Sequence, residues 1–328
     1  MQVETLFRAL ADPTRLRIMR LLSAMELAVG ELAQVLGQSQ PRVSRHVGIL
    51  CDARLAERRR EGSWVFLRRT ISESGAPGLG RALAATLTAA EEEDDSFAAQ
   101  CAEDRRQLAR IREARERGAV EYFARHADEW DELRALLAPA EEVEAALLTA
   151  LAGDALGAAL DIGTGTGRIA ELLGEDAAHV VALDNSPEML RVARARLQDL
   201  SGERVELVQG DFNALPFPAA SFDTVVLHQV LHFAQDPALA LREAARVTRP
   251  GGRIAIADFA AHAREELRDR HAHARLGFSD EAMAALLAEA GYAPEPPRAV
   301  EGAELVVKVW TGRREGGPVA AGKRRAAK

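Results

Sequence analysis

The chain has 328 residues, 48% of them hydrophobic and 28% charged, with a net charge of −8. That is material for two cores, and two cysteines, Cys51 and Cys101, exclude a disulfide-stapled scaffold. With no signal-peptide pattern and no apolar run long enough to span a bilayer, a cytoplasmic chain without a membrane partner is expected.

The front of the chain predicts a run of short helices. Asp12-Pro13-Thr14 reads as a capped helix start with an early proline. Residues 29–37 and 39–50 come next as two helices in helix-turn-helix order, with Ser39 as N-cap and Val43, Val47 and Leu50 as an apolar stripe. This leaves Gln40, Arg42, Ser44, Arg45 and His46 to a DNA groove and its phosphates. Residues 55–60 and 63–69, around a Glu61-Gly62 turn, read as a β-hairpin with Trp64 packed beneath it. Between positions 41 and 69 eight arginines, Arg58, Arg59 and Arg60 among them, face three acids, a local +5 on an acidic chain. Such a basic island is the footprint of a phosphate-binding surface.

Residues 72–80, rich in serine, glycine and proline, read as a break. Residues 81–117 then read as helix, serving either as a dimer element or as a solvated linker. In the segment 121–131, Tyr122, Phe123 and Trp130 share a helical face that should dock on the C-terminal half of the chain.

That half opens on an apolar strand, Ala159-Leu160-Asp161-Ile162, running into Gly163-Thr164-Gly165-Thr166-Gly167. A turn stripped of side chains lets a ligand lie on bare backbone at the next helix N-terminus. The triplet that a nucleoside-triphosphate loop needs is missing, and Arg168 occupies the last glycine position of a dinucleotide fingerprint. A second strand, 179–183, ends in Asp184-Asn185-Ser186, a carboxylate that can accept from both hydroxyls of a ribose. Ser186 starts a helix that places Met189 and Leu190 near a base. A third strand, 205–208, leads to Gly210-Asp211-Phe212, and a fourth, 221–227, leads to His228 and His232. Residues 253–257 form a fifth strand before Asp258. Alternating strands and helices mark an α/β doubly wound sheet. His271 and His273, two apart on a helix, read as surface residues, and a basic tail from Arg313 reads as disordered.

Residues 1–72 resemble the ArsR family of winged helix-turn-helix repressors. The resemblance implies a homodimer on an inverted-repeat operator in double-stranded DNA. Metal-sensing members carry Cys-x-Cys where this chain has Leu27-Ala28-Val29-Gly30-Glu31, so no metal site is expected. Residues 119–312 resemble the class I S-adenosylmethionine (SAM) methyltransferases of the type 11 branch, a Rossmann-like fold. That resemblance implies SAM or S-adenosylhomocysteine held by Asp161, Gly163, Gly165, Gly167, Asp184, Asn185, Met189, Asp211, Phe212 and His228. Asp211 would take the adenine amino group, with Phe212 against the ring. A covering N-terminal helix would add Tyr122 and Trp130. His228, His232, Asp258 and His262 are the candidate bases, and for the two histidines of residues 228–232 ordinary packing serves equally well. The absence of cysteines from this half argues against arsenite as acceptor.

The expected organisation is therefore a DNA-binding domain over 1–72, a helical element over 73–118, a SAM-binding domain over 119–312 and a tail over 313–328. The expected function is a transcriptional regulator carrying a SAM-binding methyltransferase domain. The alternative is an active small-molecule methyltransferase whose DNA-binding part is secondary.

Overall fold

A computed structural model describes residues 3–24, 26–61, 64–70, 79–132, 139–198, 200, 204–302 and 304–315. The chain divides into two units, Met1–Gly118 with Ala263–Glu265, and Ala119–His262 with Glu266–Lys328.

The first unit runs α1 (Val3–Leu10), α2 (Pro13–Ala24), β1 (Leu27–Ala28), α3 (Val29–Leu36), α4 (Gln40–Asp52), β2 (Ala56–Glu61), β3 (Trp64–Arg69) and α5 (Leu79–Glu93). The long helix α6 (Asp95–His126) carries the chain across the unit boundary. Asp12 caps α2 by accepting from the Arg15 N–H at 3.1 Å. Gly37, at φ 63°, ends α3 in the left-handed region, which turns the chain into α4. Ser39 stands at the N-cap of α4, but its hydroxyl caps nothing, contrary to expectation. Its carbonyl accepts from Arg42 and Val43 instead, and Pro41 presets the first turn. Val43, Val47 and Leu50 are buried with Ile18, Met19, Leu32, Leu55 and Leu67. Strand β1 pairs with β3, so the hairpin is three-stranded in the order β1-β3-β2.

Helices α5 and α6 lend Leu87 and Leu108 to this same core. Arg17 on α2 makes two bonds to Asp104 on α6, at 2.7 and 2.5 Å, and Glu91 on α5 takes both Arg20 and Arg105. These helices are thus packed parts of the first unit, not a solvated linker. The Gly62 turn, the Trp64 side chain, the break over 71–78 and the tail beyond residue 315 lie outside the described residues.

The second unit is built on a sheet with strands β4 (Ala158–Ile162), β5 (His179–Asp184), β6 (Val205–Gln209), β7 (Phe222–His228), β8 (Thr248–Phe259), β9 (Tyr292–Pro294), β10 (Arg298–Val300) and β11 (Val307–Arg314). The order is β10-β11-β8-β7-β4-β5-β6, with β9 on β11. Strands β4 to β8 pair in parallel and β11 runs antiparallel to β8. Their apolar residues alternate between two cores. Ala159, Val180 and Val226 pack with α7 (Ala140–Leu151), α8 (Arg168–Asp176) and α9 (Pro187–Arg196). Leu160, Val181 and Val225 pack with α10 (Pro237–Val247) and α12 (Asp280–Ala290). The sheet is therefore covered on both faces, as a parallel sheet requires. Strand order reverses at β4, so the carboxyl ends of β4 and β7 flank the crevice where such sheets bind ligands. Strand β11 extends to Arg314, two residues past the Gly312 boundary expected for the tail.

Candidate functional site

Strand β4 is buried and delivers Asp161, whose Oδ2 accepts from the Thr164 hydroxyl at 2.6 Å. Gly163, Gly165 and Gly167 adopt φ of 70°, 54° and 85°, a left-handed backbone that favours glycine. The reasons for each differ. A Cβ on Gly163 would lie 2.3 Å from Val230 Cγ2, so this glycine lets the segment after β7 close on the turn. Gly165 instead donates its N–H to Asp184 Oδ2 at 2.8 Å, while Asp184 Oδ1 accepts from Ser186 N at 2.9 Å. Burial pushes the Asp184 carboxyl above its ordinary range, against the pull of backbone N–H groups from Ser186, Gly165 and Asn185.

Ser186 caps α9 by accepting from Met189 N at 3.2 Å, which buries Met189 at the first turn. Asn185 is exposed, and its carbonyl accepts from Gln209 Nε2 at 3.3 Å. Asp211 is exposed too, with Oδ1 accepting from Asn213 N at 2.8 Å, and Phe212 packs half-buried on the core of Leu183 and Leu215. This donor set suits SAM: bare backbone at the N-terminus of α8, one carboxylate beside it and a second at the edge.

A short lid covers the turn. After α6 a 3₁₀ turn, Ala127–Glu129, leads to Trp130, whose Nε1 would stand 3.6 Å from a Cβ on Gly165. Asp131 then takes the Thr166 hydroxyl at 2.7 Å and Arg196 Nη2 at 2.5 Å. Phe123 packs edge-on against Trp130 and Phe233, with centroids 5.3 and 4.8 Å away. Of the two expected lid residues, Trp130 reaches the glycine turn, whereas the Tyr122 hydroxyl bonds His271 Nδ1 at 2.8 Å. Asp131 and Arg196 carry no signal in the sequence, because nothing in their spacing marks a pair 65 residues apart.

The candidate bases separate in the same way. His232 Nδ1 lies 2.7 Å from Asp258 Oδ1, and the His232 backbone N–H donates to Asp258 Oδ2 at 3.1 Å. The Phe259 N–H adds a third donor to that carboxylate at 2.7 Å. His228 is buried at the end of β7, and the His262 ring lies 6.1 Å from that of Phe259 between centroids. Gln229 between them holds φ 52°, strain of the kind that gathers at functional sites.

The surface reading is wrong for His273, while His271 is half-buried with its Nδ1 on the Tyr122 hydroxyl. Helix α11 (Glu266–His271) ends at His271, and Ala272 at φ 56° turns the chain inward. His273 is 5% exposed and its ring lies 4.2 Å from His232 and 5.7 Å from Phe259. Burial holds the His273 ring far below its ordinary pKa, with His232, His262, His271 and Arg268 adding to the effect, so it is neutral at physiological pH.

On the first unit, Gln40, Arg42, Ser44 and Arg45 are exposed along α4, and Ser39, Pro41, Arg42, Arg45, His46 and Ile49 line an open hollow. His46 is half-buried, with Nδ1 3.6 Å from Asp12 Oδ1. Strand alternation exposes Arg58 and Arg60 and turns Arg59 to the other face. There Arg59 pairs with Glu26 through two bonds of 3.1 Å and lies over Phe66 at 5.2 Å. Arg59 therefore anchors the hairpin, which corrects its reading as a phosphate ligand.

Residues 12–58 match the family described as "Bacterial regulatory protein, arsR family", and residues 160–256 match the type 11 "Methyltransferase domain". The demethylmenaquinone methyltransferase of Clavibacter sepedonicus is 44% identical over 100 residues, 30% of this chain and 40% of that protein. The ubiquinone/menaquinone biosynthesis C-methyltransferase UbiE of Hahella chejuensis is 42% identical over 105 residues, 30% of this chain and 42% of that one. The chain thus spans less than half the length of these curated relatives. Among solved structures, the YcgJ protein of Bacillus subtilis is 20% identical at a TM-score of 0.47, covering 54% of this chain and 100% of its own.

Proposed function

We propose that this chain, which joins an ArsR-family helix-turn-helix to a SAM-dependent methyltransferase domain, methylates a small-molecule acceptor and reads DNA through its first unit. The observation that carries catalysis is local. The segment that packs Val230 on Gly163 also delivers His232 to Asp258, so the cofactor turn and a candidate base are built by one loop. A domain that only sensed its cofactor would need the first and not the second.

Bound SAM supplies an electrophilic methyl group on a sulfonium. Asp184 would hold the ribose hydroxyls and Asp211 the adenine amino group, while Trp130 and Asp131 close the turn against water. Methyl transfer needs chiefly proximity and orientation, with a base where the acceptor must lose a proton. The relatives' names, which concern quinone precursors, support a small planar acceptor.

The exposed cationic face of α4 and of Arg58 and Arg60 supports DNA as the first unit's partner. The expected complex is a homodimer on an inverted repeat with half-sites about one helical turn apart. If the two units communicate, cofactor and DNA must change each other's affinity by the same factor. A DNA titration with SAM and then S-adenosylhomocysteine, run beside a methyl-transfer assay, tests the reading. Turnover supports it; cofactor-dependent DNA affinity with no turnover on any acceptor would replace the enzyme with a sensor.

A further inference from the structure

Resting on the DNA reading of the first unit and deepening it, we propose that this unit takes up a proton when it grips DNA. His46 donates from Nε2 to a backbone phosphate while Asp12 receives its Nδ1–H, and only the imidazolium can do both.

The His46 ring lines the open hollow on α4 together with Arg42 and Arg45. Both arginines are exposed, and among the described residues neither is in an ion pair. The hollow, about 380 Å³, has room for a phosphate group. The two ring nitrogens of His46 have different surroundings. The side chain is 15% exposed, yet Nδ1 is buried without a hydrogen-bond partner, so Nε2 is the nitrogen that can meet a ligand in the hollow. Nδ1 stands 3.6 Å from Asp12 Oδ1, too far for a hydrogen bond but within reach of an ion pair. Asp12 has capacity for it. Its Oδ1 accepts the Arg15 backbone N–H at 3.1 Å, and a carboxylate oxygen carries a second lone pair.

Counting protons gives the coupling. A neutral imidazole has one N–H, so it can serve the phosphate or the carboxylate but not both. With an acceptor on each nitrogen the second proton must come from solvent. In the free chain Arg42 and Arg45 oppose a third positive charge beside them, and a phosphate entering between them reverses that effect.

The other charged groups on the elements packed against α4 are committed elsewhere. Arg15 donates to the Ala9 carbonyl and lies 3.7 Å from Asp12 Oδ2, and Arg8 pairs with Glu4 along α1. Glu31 of α3 accepts from the Ala28 N–H, and Arg58 of β2 donates to the Ser44 carbonyl. His46 is the only histidine in residues 1–118. Burial pushes the Cys51 thiol up, out of the range in which imidazoles titrate. Proton uptake by the first unit between about pH 5 and pH 8 therefore reports this ring.

The test uses the full chain and a random-sequence DNA duplex at low salt, because phosphate contacts need no particular sequence. Calorimetry in two buffers of different ionisation enthalpy should find up to one proton taken up per bound subunit. Affinity should rise by up to about tenfold for each pH unit as pH falls from about 8 to about 5. His46→Gln keeps a donor for the phosphate but cannot titrate, so uptake and pH dependence should both vanish. Asp12→Asn still caps α2 well but offers no charge, and should move the pH dependence to lower pH. Mere loosening of α2 would weaken binding at every pH instead. Wild-type binding without proton uptake, uptake that persists in His46→Gln, or a pH profile indifferent to Asp12→Asn would overturn the proposal. A wild-type chain that binds no duplex at any pH sinks the DNA reading itself.

Discussion

Asp184→Asn isolates what the second carboxylate does for the cofactor. In the native site Asp184 accepts from Gly165 at 2.8 Å and from Ser186 at 2.9 Å, with the remaining lone pairs free for a ribose. The amide keeps one acceptor oxygen and turns an NH₂ group where the other acceptor stood. Losing a hydrogen bond to a charged group costs about 1.5–3 kcal/mol, or roughly 10- to 150-fold in Kd. Calorimetry should show SAM and S-adenosylhomocysteine weakened by the same factor, because both carry the ribose. The pH dependence has a definite sign. Burial raises the carboxyl pKa, so acidification should weaken SAM binding from above the ordinary carboxylate range, near pH 4. The native state also takes up this proton before the unfolded chain does. The group therefore lowers stability as pH rises from its unfolded to its raised native pKa, and Asp184→Asn should flatten both dependences. Unchanged affinity, or loss of SAM binding alone, would refute the ribose assignment.

Asp131→Ala should release the lid. Its bonds to Thr166 and Arg196 are partly exposed and together contribute about 1 kcal/mol. Amide exchange over residues 122–131 should then quicken about fivefold, and unaltered protection would mean that other interactions hold the segment. Arg45→Ala should leave the melting temperature nearly unchanged yet shallow the log–log salt dependence of DNA binding by about 0.9 for each phosphate no longer neutralised. Leu50→Ala, at a fully buried position, should instead cost about 2–5 kcal/mol in a denaturant titration. A salt slope indifferent to Arg45 removes α4 from the phosphate interface. Asp104→Ala strands the largely buried Arg17 guanidinium and should destabilise the first unit by about 3 kcal/mol, measured by thermal unfolding. A melting temperature within a degree or two would show that water reaches Arg17 readily.

Local signals carried much of this in the sequence. The glycines at 163, 165 and 167 need a left-handed backbone that few other residues adopt, and the apolar stripe of α4 repeats at the helical period. Both are properties of a few adjacent residues. The His232–Asp258 pair was only half legible, because the two residues are 26 positions apart and meet only when β7 and β8 pair. His273 was misread because helical spacing was applied past the residue where α11 stops. Arg59 looked like its two neighbours until strand alternation and Glu26, 33 residues away, turned it to the other face. The His232–Asp258 pair and Arg59 both depend on a long-range partner that composition and period cannot supply.

The central claim is that the second unit transfers a methyl group as well as gripping SAM. The most direct measurement incubates the full chain with excess SAM and a mixture of small planar acceptors, and quantifies S-adenosylhomocysteine and the methylated product by mass spectrometry. The account predicts many equivalents of both per chain. Stoichiometric SAM binding with no S-adenosylhomocysteine formed would contradict it.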